Sequence, residues 1–420
     1  MISPSKYLIS LLIIGFILTQ SISTAASATK IKTKHRGHVT LSTAAQQLNT
    51  ESIFAPDFLL GDPSDDYSFV NQRVHANYTA NKYGSYSLVF DAQHDRNRFS
   101  ESDSRINQLY FGFNLGKNLK IKVGKQRVLW GKGFTYIATD FINPPLDPSG
   151  LDLAKVGVTA ISMDYIRKDY SVTAILTSEE KGVDSGGLKF AFSPLAGLDL
   201  DAVLYRAPSV GTAYGGSFSL DAGQVIHENL TNLVIFGSAA THEKSRYPQI
   251  LSQADQAAIP GELGIEGNYN SGLLGAMYQA TGTLSLTGEY YKIGDAYSSN
   301  DYSQILQPLA DLDNPDREGF FNWLNVFSAY GRTQKEYVSL SVSKAPLTLI
   351  GNRFSDNLSL DVGMLRAKDD SYLFTFAATS AYWGRAEVIW RTTWTGGSKA
   401  TEFATAPFNW YSEISVKIGF

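Results

Sequence analysis

Apolar and polar residues alternate one for one along this chain, in segments of roughly 8–14 residues separated by turn formers. Side chains of an extended strand point to opposite faces with period two, so each such segment carries one apolar and one polar edge. From Ser68 to Ala80, Val70, Val74, Ala76 and Tyr78 alternate with Asn71, Arg73, His75, Asn77 and Thr79. Asn81 to Gly84 turns the chain, and Tyr86, Leu88, Phe90 and Ala92 then alternate with Ser87, Asp91, Gln93 and Asp95. The last segment repeats the pattern: Ser412, Ile414, Val416 and Ile418 fall on one face, and Glu413, Ser415, Lys417 and Gly419 on the other.

The hairpin unit recurs. Arg105–Leu115 joins Leu119–Arg127, Gly157–Ile166 joins Tyr170–Ser178, and Leu188–Phe192 joins Leu198–Arg206. Ala213–His227 joins Asn232–His242, and Gly272–Ala280 joins Thr283–Lys292. Lys335–Lys344, Asn357–Arg366, Tyr372–Ala378, Gly384–Trp394 and the closing segment follow. A weakly patterned first strand is expected over His38 to about Gln46, after a basic lead, Thr29 to Gly37. Short turns alternate with long connections near Val128–Val156, Glu243–Ser271 and Ile293–Gln334, which all fall on one side. The pattern predicts an all-β chain: one closed antiparallel transmembrane β-barrel of about 18 strands, with 16 as the alternative, because an even number returns both termini to one side. No sequence repeat of the kind that builds a β-helix or propeller is present. A soluble sandwich would have to turn Asp91, Lys122, Glu289, Arg385, Glu387 and Lys417 to solvent from a two-sheet core, one hairpin after another.

The N-terminus predicts export. Lys6 precedes an apolar run from Tyr7 to about Leu18, and Ala26-Ser27-Ala28 fits a small-x-small cleavage site. Residues 1–28 read as a signal peptide, leaving 29–420 as a single barrel domain. No later segment is long and apolar enough for a membrane helix, so a membrane-embedded form has to be a barrel. Cysteine is absent and the six histidines show no ligand spacing, so no metal or cofactor is expected. With 36 basic and 40 acidic residues the net charge is −4, which argues against nucleic acid as a partner.

A chain that ends on Phe420 after such an alternating run resembles the closing strand of Gram-negative outer-membrane β-barrels. In that family the apolar face meets lipid and the polar face a watery lumen. A second resemblance lies in Val123-Gly-Lys-Gln-Arg-Val-Leu-Trp-Gly-Lys-Gly-Phe134, followed by Asp140 and Asn143-Pro144. This run is similar to the Gly-Arg-Gln…Trp-Gly…Asp…Asn-Pro run of several porin-like families, including alginate-export-like barrels, with Lys125 where those commonly have Arg. The resemblance implies location in the outer membrane, contact with its lipid, and insertion by the barrel assembly machinery through the strand ending at Phe420. It also leaves room for a homo-oligomer, since porins commonly form trimers.

Two arrangements fit the distinctive stretch. A loop folded back into the lumen would form a constriction, with Trp130 and the charges of Lys125, Arg127, Lys132 and Asp140 at its edge. Alternatively Trp130 packs at the rim and Arg127 pairs with Asp140 to hold the loop down. The inward face of the strands supplies further lumen candidates: Arg73, Asp91, Lys122, Glu289, Arg385, Glu387 and Arg391. Both signs appear, so neighbouring pairs brace the wall as readily as they select ions. The expected function is a channel for small hydrophilic solutes or ions. The competing classes are a plugged barrel serving as adhesin or assembly scaffold, and an outer-membrane hydrolase. His75, His94, His227 and His242 lie in no Gly-x-Ser-x-Gly or comparable setting, so no enzyme is expected.

Overall fold

The computed structural model describes residues 33–48, 68–82, 86–96, 103–143, 156–178, 184–247, 265–298, 301, 334–344, 358–382, 386–398, 401–403 and 408–419. Residues 1–28, expected from the sequence to be a signal peptide, Arg385 and Pro144 to Pro148 lie outside these residues. Among the described residues, 18 strands form one antiparallel sheet. They are β1 Thr33–Leu48, β2 Ser68–Lys82, β3 Tyr86–Arg96, β4 Asp103–Leu115, β5 Leu119–Gln126 and β6 Val158–Ile166. Then come β7 Tyr170–Thr177, β8 Ser185–Leu195, β9 Leu198–Ala207, β10 Gly211–Asp221, β11 Leu233–Lys244 and β12 Glu266–Thr281. The last six are β13 Leu284–Lys292, β14 Glu336–Lys344, β15 Leu358–Ala367, β16 Tyr372–Tyr382, β17 Ala386–Gly396 and β18 Phe408–Gly419. Each pairs with its sequence neighbours, and β1 pairs with both β2, from Thr33↔Lys82, and β18, from His38↔Gly419.

The strands follow the sequence pattern with differences at their ends; β12 starts at Glu266, ahead of the expected Gly272, and β16 runs to Tyr382, past the expected Ala378. β1 starts at Thr33, ahead of the expected His38, because β2 continues to pair with it from Tyr78 to Lys82, whereas the β18 partners begin only at His38. β8 extends to Ser185 and Leu195 beyond its apolar centre. β10 stops at Asp221, well before His227: the Asp221 carboxylate accepts the N–H groups of Gly223 and Gln224 and caps a one-turn helix, α1 Ala222–Val225.

The two faces of the sheet are inverted relative to a water-soluble protein. Leu286, Tyr290, Val338, Leu340, Val342, Ile161, Leu204, Leu274, Ile414 and Ile418 are exposed, whereas Asp201, Ser217, Ser271, Glu289 and Glu413 on the other face are buried. Exposing one continuous apolar face costs free energy in water and none in hydrocarbon. Two buried apolar clusters lie on the polar side: one between wall residues such as Val203, Tyr205, Ala213 and Ala240 and the connection after β5, the other around Phe236, Tyr291, Tyr337 and Phe403. Exposed aromatic rings neighbour one another on the apolar face, as in Tyr170–Phe190 and Phe190–Phe192, a placement that suits membrane interfaces.

This inversion gives the first prediction. Leu340→Arg, in the middle of β14 on the apolar face, should destabilise the membrane-embedded protein by about 2–4 kcal/mol. Ser341→Arg, on the opposite face, should cost far less. Urea titration in lipid bilayers measures both, and equal costs would contradict the assignment of faces.

Candidate functional site

The connection after β5 begins at Arg127 and runs along the polar face of the sheet. Trp130 is buried edge-on against Tyr205 of β9, with ring centroids 6.4 Å apart. Further along, Phe134 packs against Phe236 of β11, and Thr135 Oγ1 donates to Ser339 Oγ of β14 at 2.9 Å. β14 stands nine strands along from β5 in the pairing order. Nine strands of a flat sheet cover about 43 Å at ~4.8 Å each. The nine residues from Gln126 to Thr135 reach at most about 32 Å. The sheet therefore curls around its polar face, and the loop crosses the space it encloses.

Glu289 of β13 fastens the tip of this loop. Its two carboxylate oxygens accept the N–H groups of Phe134 at 2.6 Å and Thr135 at 2.7 Å. Next to them Tyr136 stacks on Tyr291, which stacks on Tyr337, with both centroid distances 5.0 Å. Tyr337 Oη lies 2.7 Å from both oxygens of the buried Glu402. Ser238 of β11 supports the middle, accepting from the Ala138 N–H and donating to the Lys132 carbonyl, each at 3.4 Å. The return limb is closed by its own side chains: Asn143 bridges both backbone groups of Val128 and donates to Asp140 Oδ1 at 2.7 Å.

The two glycines of Trp-Gly-Lys-Gly serve close approach more than flexibility. Both have positive φ, and a Cβ at Gly131 would collide with Thr139 Oγ1, one at Gly133 with the Tyr136 carbonyl. A second anchor holds the far limb. Arg246, just after β11, donates to the Asp140 carbonyl at 3.3 Å and pairs with Asp295 at 3.4 Å, while the buried His242 lies 3.1 Å from Asp295 Oδ2. Phe141 packs edge-on to His242. Burial works against the charge of Asp295, but Arg246 and His242 beside it outweigh burial and hold the carboxyl well below the usual carboxylate range.

The structure sorts the sequence candidates. Trp130, Lys132, Asp140 and Glu289 come together in or against the loop. Arg127 does not pair with Asp140; it pairs with Asp91 of β3 at 3.4 Å, because it leaves β5 on the β4 side, where that carboxylate is buried. Asp140 instead caps its own turn through Asn143. Lys125 is not on the polar face: in β5 it alternates with Gln126 and lies opposite the exposed Thr159, on the face of Ile121 and Val123. Lys122 pairs with Asp164 at 3.1 Å and Glu387 with Lys417 at 2.9 Å, while Arg391 stands opposite Glu413 in register. Arg73 stands opposite Asp95 in the β2–β3 register. Most wall charges thus brace neighbouring strands, whereas the Lys132 ammonium makes no ion pair among the described residues. Arg246, Asp295, Tyr136 and Glu402 were not singled out in the sequence, since each sits in a connection without local signature.

No protein-family model and no curated protein matches the chain. Solved structures do match in fold. OccAB1 of Acinetobacter baumannii is 12% identical with a TM-score of 0.54, the match covering 92% of this chain and 96% of that one. The outer membrane protein OprD of Pseudomonas aeruginosa is 9% identical at TM-score 0.51, covering 92% and 93%. Wzi of Escherichia coli, an outer membrane protein involved in group 1 capsule assembly and described as a carbohydrate-binding β-barrel, is 11% identical at TM-score 0.52, covering 96% and 87%.

Replacing Glu289 by Gln leaves one acceptor for two amides and removes charge assistance worth about 1.5–3 kcal/mol. Glu289→Gln should lower thermal stability by that order and raise conductance in planar bilayers as the loop tip loosens. Unchanged stability together with unchanged conductance would remove Glu289 as the anchor.

Proposed function

Taking as premise the fold of Gram-negative outer-membrane β-barrels, we propose that the protein is a porin-like outer-membrane channel for passive diffusion of small hydrophilic solutes or ions. In this reading residues 1–28 are removed on export, and residues 29–420 form one closed barrel of 18 strands. Short turns face the periplasm and long connections the outside. The observation that carries the proposal is the loop from Arg127 to Asn143 lying across a polar face that curls around it. A space lined by charged and hydroxyl side chains and bounded by an apolar exterior is an aqueous path, and a loop fastened across it is a constriction.

Lys132 is the loop charge placed to act on solutes there, because it makes no ion pair among the described residues, whereas Lys122, Arg127, Lys189 and Lys417 are offset by carboxylates. Trp130 and Glu289 position the loop. Arg127 contributes by offsetting Asp91, so neutralising Arg127 unmasks a negative charge, and neutralising Lys132 removes a positive one. Both substitutions act in the same direction.

The reading is tested by inserting the refolded chain into planar bilayers under a salt gradient. Steady single-channel steps are expected, with reversal potentials shifted toward cation selectivity in Arg127→Gln and Lys132→Gln and nearly unchanged in Lys344→Gln. A folded barrel that carries no current would overturn the channel reading in favour of a plugged barrel acting as a scaffold or adhesin.

A further inference from the structure

The ends of β13 and β14 that adjoin the long connection 293–335, and the end of β15 beside them, carry basic residues turned toward the apolar exterior. Lys292, the last residue of β13, lies opposite Glu336, the first of β14. Arg366, near the end of β15, lies between Val338 and Tyr372 in register, and Lys368 follows in the turn. Lys292 and Arg366 share the face of the exposed Tyr290, Leu340 and Met364, so they point away from the polar interior. Two carboxylates sit among them: Lys368 Nζ lies 2.9 Å from Glu336, and the Arg366 guanidinium 2.6 Å from Asp370. Lys292 makes no ion pair among the described residues, so three cations face two carboxylates. Tyr290 and Tyr372, 49% and 43% exposed, mark the boundary between hydrocarbon and headgroups beside them. At the other end of the same strands Lys344 is the one outward cation among the described residues.

A surplus of cations at headgroup level, above exposed tyrosines, calls for an anion that the membrane itself supplies. The guanidinium of Arg366 uses one nitrogen on Asp370, which leaves other donors for a phosphate oxygen. We propose that Lys292, Arg366 and Lys368 form a docking surface for the phosphate groups of the anionic glycolipid in the outer leaflet. This rests on the outer-membrane placement and orientation given above, and is independent of whether the barrel conducts. The apolar rows below the cations, Leu340, Val338 and Met364, would meet the acyl chains. Glu336 and Asp370 keep the cations spread and limit binding of a second anion.

The test is native mass spectrometry of the detergent-solubilised full chain with diphosphoryl lipid A, and separately with the same lipid after removal of its phosphates. The K292Q/R366Q/K368Q variant should retain the diphosphoryl lipid on the order of a hundredfold less well than the unsubstituted protein, at about one kcal/mol per cation. The dephosphorylated lipid should bind both proteins weakly and alike. K292R/R366K/K368R should restore retention, and K344Q should leave it unchanged. Heat-modifiable migration on gels verifies that each variant is a folded barrel. Equal retention by the unsubstituted protein and the triple Gln variant would overturn the proposal, as would retention that ignores the lipid phosphates. Displacement by millimolar inorganic phosphate would equally do so, pointing to a free-anion site. Bilayer conductance recorded on the same samples separates this outcome from failure of the channel reading: a silent barrel that still retains the lipid through its phosphates keeps the surface and loses the channel.

Discussion

In hydrocarbon no water is available to a backbone N–H or C=O, so a chain that exposes an apolar face must satisfy its own main chain before anything else. The antiparallel ladder does this, and the pairing of β1 with both β2 and β18 leaves neither the first nor the last strand without a second neighbour. Everything else follows from the inversion this permits. Leucines and aromatics that would form a core in water become the exterior, and the carboxylates, hydroxyls and amides of the other face must find partners within the enclosed space.

Those partners explain why the interior is ordered instead of merely wet. Charges that face one another across strands, such as Lys122 with Asp164 and Glu387 with Lys417, offset each other and brace the wall. Glu289 is different, because its carboxylate is used up on two backbone amides of a distant loop. A loop of polar backbone crossing a cavity is acceptable only where its amides are paired, and here a wall carboxylate and Ser238 perform that role, while the stack of Tyr136, Tyr291 and Tyr337 packs the tip against the wall. The second anchor at Arg246 and Asp295 fixes the returning limb, so the loop is tied at both ends and in the middle.

Much of this was legible in the alternation. Period two fixes which residues share a face, so Asp91, Glu289, Glu387 and Arg391 could be placed on the polar side without knowing any contact. Where alternation fails, reading fails. Lys125 was placed at the constriction because it belongs to the same short run as Arg127 and Trp130, yet one step of alternation turns it outward. The partner of Arg127 was misjudged for a related reason: Asp140 is close in sequence, whereas Asp91 is close in space only after β3, β4 and β5 have paired. The end of β10 was set by a capping carboxylate, Asp221, whose competition with the strand leaves little trace in the hydrophobic pattern. Anchors such as Asp295 and Glu402 lie in connections, where no periodicity constrains a side chain and only the assembled fold brings it to its partner.

The central claim is that the polar face of the sheet borders water and the apolar face borders lipid. The absence of native cysteine makes a direct measurement available: single cysteines at Lys122 and Ser341 and, on the alternate face, Val123, Ile161 and Leu340, each treated in lipid bilayers with a membrane-impermeant thiol reagent. Rapid labelling at Lys122 and Ser341 with protection at Val123, Ile161 and Leu340 is the predicted result. Protection of both sets, or labelling of the apolar positions in preference to the polar ones, would contradict a water-lined interior.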